Sequence, residues 1–110
     1  MDDIELGVVS AERTMTLFRP DGSAGQITLC VGKPSKDPQS GDYYCPLQIV
    51  GAGDERVRAA WGEDAFVALQ YAINLIGQIL DDVVNREKLE VRFRPADHTQ
   101  ASWIWRYPTT

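Results

Sequence analysis

Hydrophobic and polar side chains alternate along several stretches of the first half of the chain. Four segments share this alternation: residues 11–17, 26–31, 43–50 and 56–61. A period of two is typical of half-buried strands, because successive side chains of a strand point to opposite faces of the sheet. In the second segment Ile27 and Leu29 are predicted to face the core and Cys30 the opposite side. Because Cys45 lies on the apolar side of the third segment, a disulfide between the two cysteines is disfavoured.

Turn-forming residues separate these segments. Residues 20–23 read Pro-Asp-Gly-Ser and favour a hairpin, since proline fixes φ and glycine accepts a positive φ. Residues 33–41 combine prolines, charges and small polar side chains, which predicts an exposed, mobile loop, and residues 51–55 predict a second turn. Pro46 lacks a backbone donor and therefore favours an edge strand or a bulge.

A helical period follows the fourth segment. Six apolar residues recur at intervals of three or four and predict the sheet-facing stripe of a helix: Phe66, Leu69, Ile73, Ile76, Leu80 and Val83. Glu63 and Asp64 are expected in the first turn, where carboxylates complement the positive end of the helix dipole. With Gly62 as the N-cap, Trp61 and Phe66 would form a hydrophobic staple.

These elements predict an α+β fold, with an antiparallel meander sheet of about four strands and one long helix packed on one face. The helix is expected to end between residues 85 and 88. Residues 1–110 are predicted to form a single domain, with a β-β-β-β-α core in residues 1–88. Residues 89–110 form a tryptophan-rich C-terminal extension that can add a fifth strand, either at its start or in its aromatic part.

The chain is acidic, with 16 Asp and Glu against 11 Lys and Arg and a net charge of −5. Such a charge repels polyphosphates at long range, so nucleic acid is not the expected partner. The charge is uneven, since residues 1–85 carry 13 acidic and six basic side chains, and residues 86–110 carry three acidic and five basic ones. Residues 86–110 could therefore still make a local basic contact, while the acidic charge of the whole chain favours a basic protein as the partner.

The cellular location can be predicted from two stretches of sequence. The start of the chain lacks the positive and apolar regions of a secretory signal. The longest apolar stretch is interrupted by Gln70, Asn74 and Gln78, and it falls short of the roughly 20 apolar residues that a membrane span requires. We therefore expect a cytoplasmic protein that does not bind membranes.

No catalytic, metal-binding or cofactor-binding constellation stands out in the sequence. Five carboxylates lie in predicted turns or at the helix start, where they could act as acid and base or bind a cation: Asp42, Asp54, Glu55, Glu63 and Asp64. Turn formation and helix capping account for the same residues and are the favoured interpretation. Cys30 or Cys45 with His98 would make a thiolate and imidazole pair, although Cys45 fits a core position and His98 a loop.

The C-terminal extension holds the densest aromatic cluster of the chain, formed by Trp103, Trp105, Arg106 and Tyr107. Alternation places both tryptophans on one face, which favours packing against the helix or the sheet. The same residue types are enriched at binding hot spots, so a partner-binding surface is the alternative. On that alternative the extension would also support a homo-oligomer.

A resemblance to a known family rests on the middle third of the chain. Its segments are Asp-Tyr-Tyr-Cys-Pro-Leu-Gln-Ile at residues 42–49, Gly-Ala-Gly-Asp at 51–54, Arg-Val-Arg-Ala-Ala-Trp-Gly at 56–62 and Ala-Leu-Gln at 68–70. This pattern resembles a family of short, uncharacterised bacterial proteins that share Cys-Pro-x-Gln-Ile-x-Gly-x-Gly-Asp. The resemblance implies a bacterial, cytosolic setting without an assigned reaction, cofactor or ligand. It also implies that Cys45, Pro46, Gln48 and Asp54 belong to a recurring local structure, such as a proline bulge whose glutamine satisfies backbone groups.

Small size, acidic charge and the lack of a catalytic constellation favour a non-enzymatic protein-interaction module. Such a module could be an immunity or antitoxin-like protein or an accessory subunit of a larger assembly. The alternative is a small-molecule binding or enzymatic domain. Its pocket would lie between the helix N-terminus, the carboxylates near Asp54 and the aromatic extension.

Overall fold

Six strands form one sheet and a long helix packs against it within residues 4–92, the part of the chain that the computed structural model describes. The elements are β1 (Val9–Phe18), β2 (Ala24–Gly32), β3 (Ser35–Lys36), β4 (Tyr43–Val50), β5 (Arg58–Gly62), α1 (Ala65–Glu87) and β6 (Glu90–Arg92). The predicted α+β class is confirmed, and so is the predicted end of the helix. The sheet is larger than the four strands that the sequence predicts.

All strand pairs in the sheet are antiparallel. The path β4-β2-β1-β6 is continuous, and β5 pairs with β4. Tyr43 of β4 pairs with both Lys36 of β3 and Gly62 of β5, so β3 and β5 lie on opposite sides of β4. The four strands that the alternation predicts therefore follow one another across the sheet as a meander.

The two additional strands are short. β3 lies in the segment predicted to be only a loop, where Ser35 and Lys36 pair with the first two residues of β4. β6 follows the helix directly and pairs with the last three residues of β1, so that Val91 lies opposite Leu17. A strand at the start of the C-terminal extension was one of the two predicted positions. The other, around Trp103, lies outside the described residues.

Pro46 is not in an edge strand, because β4 has a neighbour on each side. Pairing of β4 with β2 ends at Leu47 and pairing with β3 begins at Tyr44. Gly32, the last residue of β2, lies next to Pro46 on that side without being paired with it, since a Cβ atom added at Gly32 would be 3.2 Å from the proline ring. The missing backbone donor falls where β4 passes from β2 to β3, and the edge alternative is wrong. Pairing with β5 runs through Pro46 without a register shift, so β4 itself has no bulge there.

The core lies between α1 and one face of the sheet, which we call the inner face. Its fully buried side chains come from β1, β2, β4, α1 and β6: Met15, Leu17, Ile27, Leu47, Cys45, Ala68, Ala72, Ile76, Leu80 and Val91. Cys30 lies on the opposite, outer face of β2 but is also buried, contrary to the prediction. Its strand partners are Glu12 and Gln48, so a longer side chain stands on each side of the small thiol. Both cysteines are free.

The helix begins later than the sequence predicts. Asp64 is its N-cap, and the Asp64 carboxylate accepts a hydrogen bond of 2.8 Å from the backbone N–H of Val67. Gly62 is instead the last residue of β5, so the predicted cap was wrong. The predicted staple was wrong as well, since Trp61 lies on the outer face against Tyr44 and Phe66 is 76% exposed.

Small side chains bring the start of α1 close to β5. Ala68 and Ala72 are fully buried, although the predicted stripe assigned this part of the sheet-facing surface to Phe66 and Leu69. A Cβ atom added at Gly62 would lie 2.7 Å from the backbone nitrogen of Ala68. The close approach leaves no space for a larger side chain, which explains why the helix presents alanines here.

By length and composition alone, α1 is apolar enough to cross a membrane. Its buried residues Ala68, Ala72, Ile76 and Leu80 belong to the core cluster that includes side chains of the sheet. Packing against a sheet requires an apolar helix face of this kind, so the buried residues of α1 are accounted for by their place in the core.

The Asn74→Ala variant should be more stable than the parent protein. The Asn74 side-chain oxygen is buried without a hydrogen-bond partner within residues 4–92, and alanine has a higher helix propensity than asparagine. We expect the free energy of unfolding to rise by about 1 kcal/mol in urea denaturation. The control is Gln70→Ala on the exposed side of α1, which should change it by less than about 0.5 kcal/mol. A loss of stability in Asn74→Ala would contradict the expectation.

Candidate functional site

The five candidate carboxylates do not form one cluster. Asp42 immediately precedes β4, and the first residue of β4 pairs with the last residue of β5, so Asp42 lies at the same end of the sheet as Glu63 and Asp64. Asp54 and Glu55 lie beyond the opposite end of β4. Among residues 4–92 no group of three His, Cys, Asp or Glu side chains is placed to hold a metal ion.

Asp54 organises the turn between β4 and β5. Its carboxylate accepts hydrogen bonds from the Arg56 backbone N–H at 3.0 Å and from the Arg56 and Arg58 guanidinium groups at 3.1 Å each. The Arg56 backbone hydrogen bond is the main cause that lowers the pKa of Asp54, and the two arginine charges add to it. These contacts match the favoured interpretation of this carboxylate as a turn-forming residue.

Two further side-chain hydrogen bonds close the same turn. The Gln48 amide donates to the Glu55 backbone carbonyl at 2.7 Å, and the Gly51 backbone N–H donates to the Glu55 carboxylate at 3.0 Å. The predicted role of the glutamine, which is to satisfy a nearby backbone group, is confirmed. The Glu55 carboxylate likewise satisfies a backbone group, the Gly51 N–H, and the sequence did not predict this contact.

A groove of about 440 Å³ lies between this turn and the C-terminal half of α1, and we call it the turn groove. Its charged lining residues are Asp54, Arg58, Asp82, Arg86 and Glu87. Its charges contact one another, since Arg58 contacts Asp54, and Arg86 contacts both Asp82, one helical turn away, and Glu87. The pocket predicted for a small molecule was placed at the helix N-terminus, but the structure places Asp54 beside the other end of the helix.

The two thiols are held in their protonated form. Burial raises the pKa of Cys45 to about 11, and its thiol lies 3.5 Å from the Gly32 carbonyl oxygen as a weak donor. Burial, with a smaller contribution from Glu12, also raises the pKa of Cys30. A nucleophilic cysteine needs the opposite shift. His98, the candidate partner, lies outside the described residues.

The outer face of the sheet holds a larger groove of about 680 Å³, which we call the sheet-face groove. Tyr44 and Trp61 lie opposite each other on β4 and β5, with ring centroids 5.3 Å apart and ring planes tilted by 40°. Trp61 is 45% exposed, and the buried ring of Pro46 lies next to this pair in the groove lining. These three residues contribute apolar surface to the groove, together with Ile4, Leu6 and Val8.

The N-terminal segment, residues 4–8, forms one wall of the sheet-face groove. The Lys33 backbone N–H donates to the Val8 carbonyl at 3.0 Å and ties the segment to the end of β2. A Cβ atom added at Gly32 would lie 2.4 Å from the Leu6 carbonyl oxygen, so the wall packs directly against this glycine. Glu5, Lys33 and Asp37 give the lining a charge of −1.

Sequence reasoning missed this pair of aromatic residues. Alternation places Tyr44 on the polar side of the third segment, but it groups Trp61 with Ala59 as the apolar side of the fourth segment, which faces outward in the structure. Their direct contact depends on the pairing of Tyr43 with Gly62, which the pattern of neither strand specifies. The other aromatic candidates, Trp103, Trp105 and Tyr107, lie outside the described residues.

The chain belongs to the family described as Domain of unknown function (DUF6968), whose model matches residues 11–102. This confirms the predicted membership of an uncharacterised family. Searches of curated proteins and of solved structures found no match.

Proposed function

We propose that this protein is a non-enzymatic protein-interaction module that binds its partner at the sheet-face groove. The observation that carries the proposal is the half-exposed Trp61, packed on Tyr44 on the sheet face opposite α1. Tryptophan and tyrosine are enriched at binding hot spots because they bury much apolar area with little loss of side-chain entropy. Covering the exposed part of Trp61 would contribute roughly 2–3 kcal/mol.

A basic partner fits the charge of the protein. The chain carries a net charge of −5, and the sheet-face groove itself is acidic by one charge. Opposite charges on the partner would speed the encounter and favour the correct orientation. An immunity or antitoxin-like protein, or an accessory subunit in the bacterial cytosol, is the kind of protein we propose.

The alternative function is small-molecule binding in the turn groove. Two arginines and three carboxylates converge there over apolar side chains of β4 and α1, and Asp54 has a lowered pKa. A ligand would have to replace contacts that these charges already make with each other. The interaction module needs no such rearrangement, and this difference favours it.

The Trp61→Ala variant should lose the partner that the parent protein captures. The tagged full-length protein is incubated with lysate of the organism that encodes it, and the retained proteins and small molecules are identified by mass spectrometry. We expect one stoichiometric basic protein with the parent and a loss of at least tenfold with Trp61→Ala, because a hot-spot tryptophan commonly contributes 2 kcal/mol or more.

The matched control is Phe66→Ala, which removes an aromatic side chain that is 76% exposed on α1, away from the groove. It should retain the partner at the level of the parent. Equal capture by both variants would overturn the proposed surface. Recovery of a small molecule and no protein would replace the interaction module by the alternative.

A further inference from the structure

We propose that the sheet-face groove binds an extended, proline-containing peptide segment that also carries a basic residue. The inference rests on the proposed function and specifies the chemistry of the partner. Its basis is the arrangement of Tyr44 and Trp61 directly opposite each other on neighbouring antiparallel strands. Proline-rich segments in the polyproline II conformation dock into grooves lined by aromatic side chains, on which the proline rings pack.

The groove offers side-chain donors that match such a segment. Within residues 4–92 neither the Tyr44 hydroxyl nor the Trp61 indole N–H has a hydrogen-bond partner. A polyproline II segment has no internal hydrogen bonds, so its carbonyl oxygens remain free to accept. Two aromatic donors next to an apolar surface can therefore bind the carbonyls and the proline rings of the same segment.

Backbone pairing is not available on the floor of this groove. β4 is paired on both sides, by β5 on one and by β2 and β3 on the other. A peptide lying across Tyr44 and Trp61 consequently cannot add a strand to β4. Within residues 4–92 the far edge of β5 is unpaired, but a segment paired there would lie beside the sheet and not across the two rings. On the groove floor recognition comes from side chains, and a proline-containing segment is suited to this because it lacks the backbone donors of a strand partner.

Charge supports a basic residue beside the proline. Glu5 and Asp37 line the groove together with a single lysine, Lys33. An arginine or lysine of the segment could approach either carboxylate, or stack on the exposed Trp61 ring as a cation–π contact. An acidic residue in the same place would meet the net negative charge of the groove and of the chain.

Binding of synthetic peptides to the full-length protein tests the proposal. The probe is the fluorescently labelled hexapeptide Arg-Pro-Pro-Pro-Pro-Arg, and the controls replace its prolines by alanine or its arginines by glutamate. In fluorescence anisotropy we expect saturable binding of the probe, at least tenfold weaker binding of the alanine peptide, and weaker binding of the glutamate peptide. The difference in affinity between the probe and the glutamate peptide should become smaller at high salt, because salt screens the interactions between surface charges.

Variants of the protein locate the site. Trp61→Ala should weaken binding of the probe at least tenfold, and Phe66→Ala should leave it unchanged. Tyr44→Phe removes only the hydroxyl and should weaken binding about threefold, as expected for one lost hydrogen bond. Thermal unfolding of each variant distinguishes a loss of binding from a loss of the folded structure.

Several results would overturn the proposal. These are no binding at millimolar peptide, equal binding of the proline and alanine peptides, or an unchanged affinity in Trp61→Ala. If Trp61→Ala turned a dimer into a monomer in sedimentation equilibrium while no peptide bound, the occupant would be a second copy of this chain. Loss of lysate capture in Trp61→Ala without peptide binding would leave the interaction module standing and remove only the peptide class.

Discussion

The Gly51→Ala variant should lose about 3 kcal/mol or more of its free energy of unfolding. Gly51 has a φ of +101°, which an alanine adopts only with strain. A Cβ atom at this position would also lie 2.2 Å from the Gln26 carbonyl oxygen of β2. Because the obstructing atom belongs to the backbone of a neighbouring strand, the β4–β5 turn would have to move away from the sheet.

The Gly53→Ala variant separates the cost of backbone strain from the cost of the close approach to β2. Gly53 has nearly the same φ of +103°, but an added Cβ atom would have no other atom within 4 Å. This variant should therefore show only the backbone strain, about 1–2 kcal/mol. Urea denaturation of both variants gives the comparison. Equal losses in the two would show that the close approach at Gly51 has no energetic consequence.

Much of the sheet could be predicted from the sequence because burial on one face imposes a period of two. Ile27, Leu29, Cys45 and Leu47 are buried where the alternation places them in the core. The turn residues between strands agree with the predicted hairpins, since Asp21 accepts a hydrogen bond of 2.8 Å from the Ser23 backbone N–H. Each of these features depends on residues close to one another in the chain, and local patterns carry that information.

Features that depend on tertiary contacts could not be predicted in the same way. β3 has two residues and no periodic pattern, so only its pairing with β4 identifies it. Gly62 fits a helix cap by its position, but pairing with Tyr43 keeps it in β5 and moves the cap to Asp64. The same pairing brings Tyr44 and Trp61 together. The candidate site thus depends on the strand register, which alternation leaves open.

The second prediction with a large expected effect concerns the face of α1 that packs on the sheet. Apolar residues at three- and four-residue intervals predict an apolar face, but they leave its exact direction around the helix axis open. The predicted stripe placed both Phe66 and Ile76 against the sheet. In the structure Ile76 is 1% exposed in the core and Phe66 is largely exposed. Ile76→Ala should therefore cost about 3 kcal/mol of stability, the usual range for removal of a buried aliphatic side chain that leaves a cavity.

Phe66→Ala is the matched control, because it removes the larger side chain from the same helix. It should change the free energy of unfolding by less than about 0.5 kcal/mol, as for a surface substitution. Ala68 fills the position next to β5, where the backbone of Gly62 is too close for a phenylalanine ring, and Ala72 is fully buried one helical turn further on. If Phe66→Ala were instead as destabilising as Ile76→Ala, the helix would have to be rotated toward the predicted stripe. That rotation would press a phenylalanine ring against Gly62 and move α1 away from β5. The two variants together therefore distinguish a helix that packs closely on β5 through small residues from one that packs through an aromatic stripe.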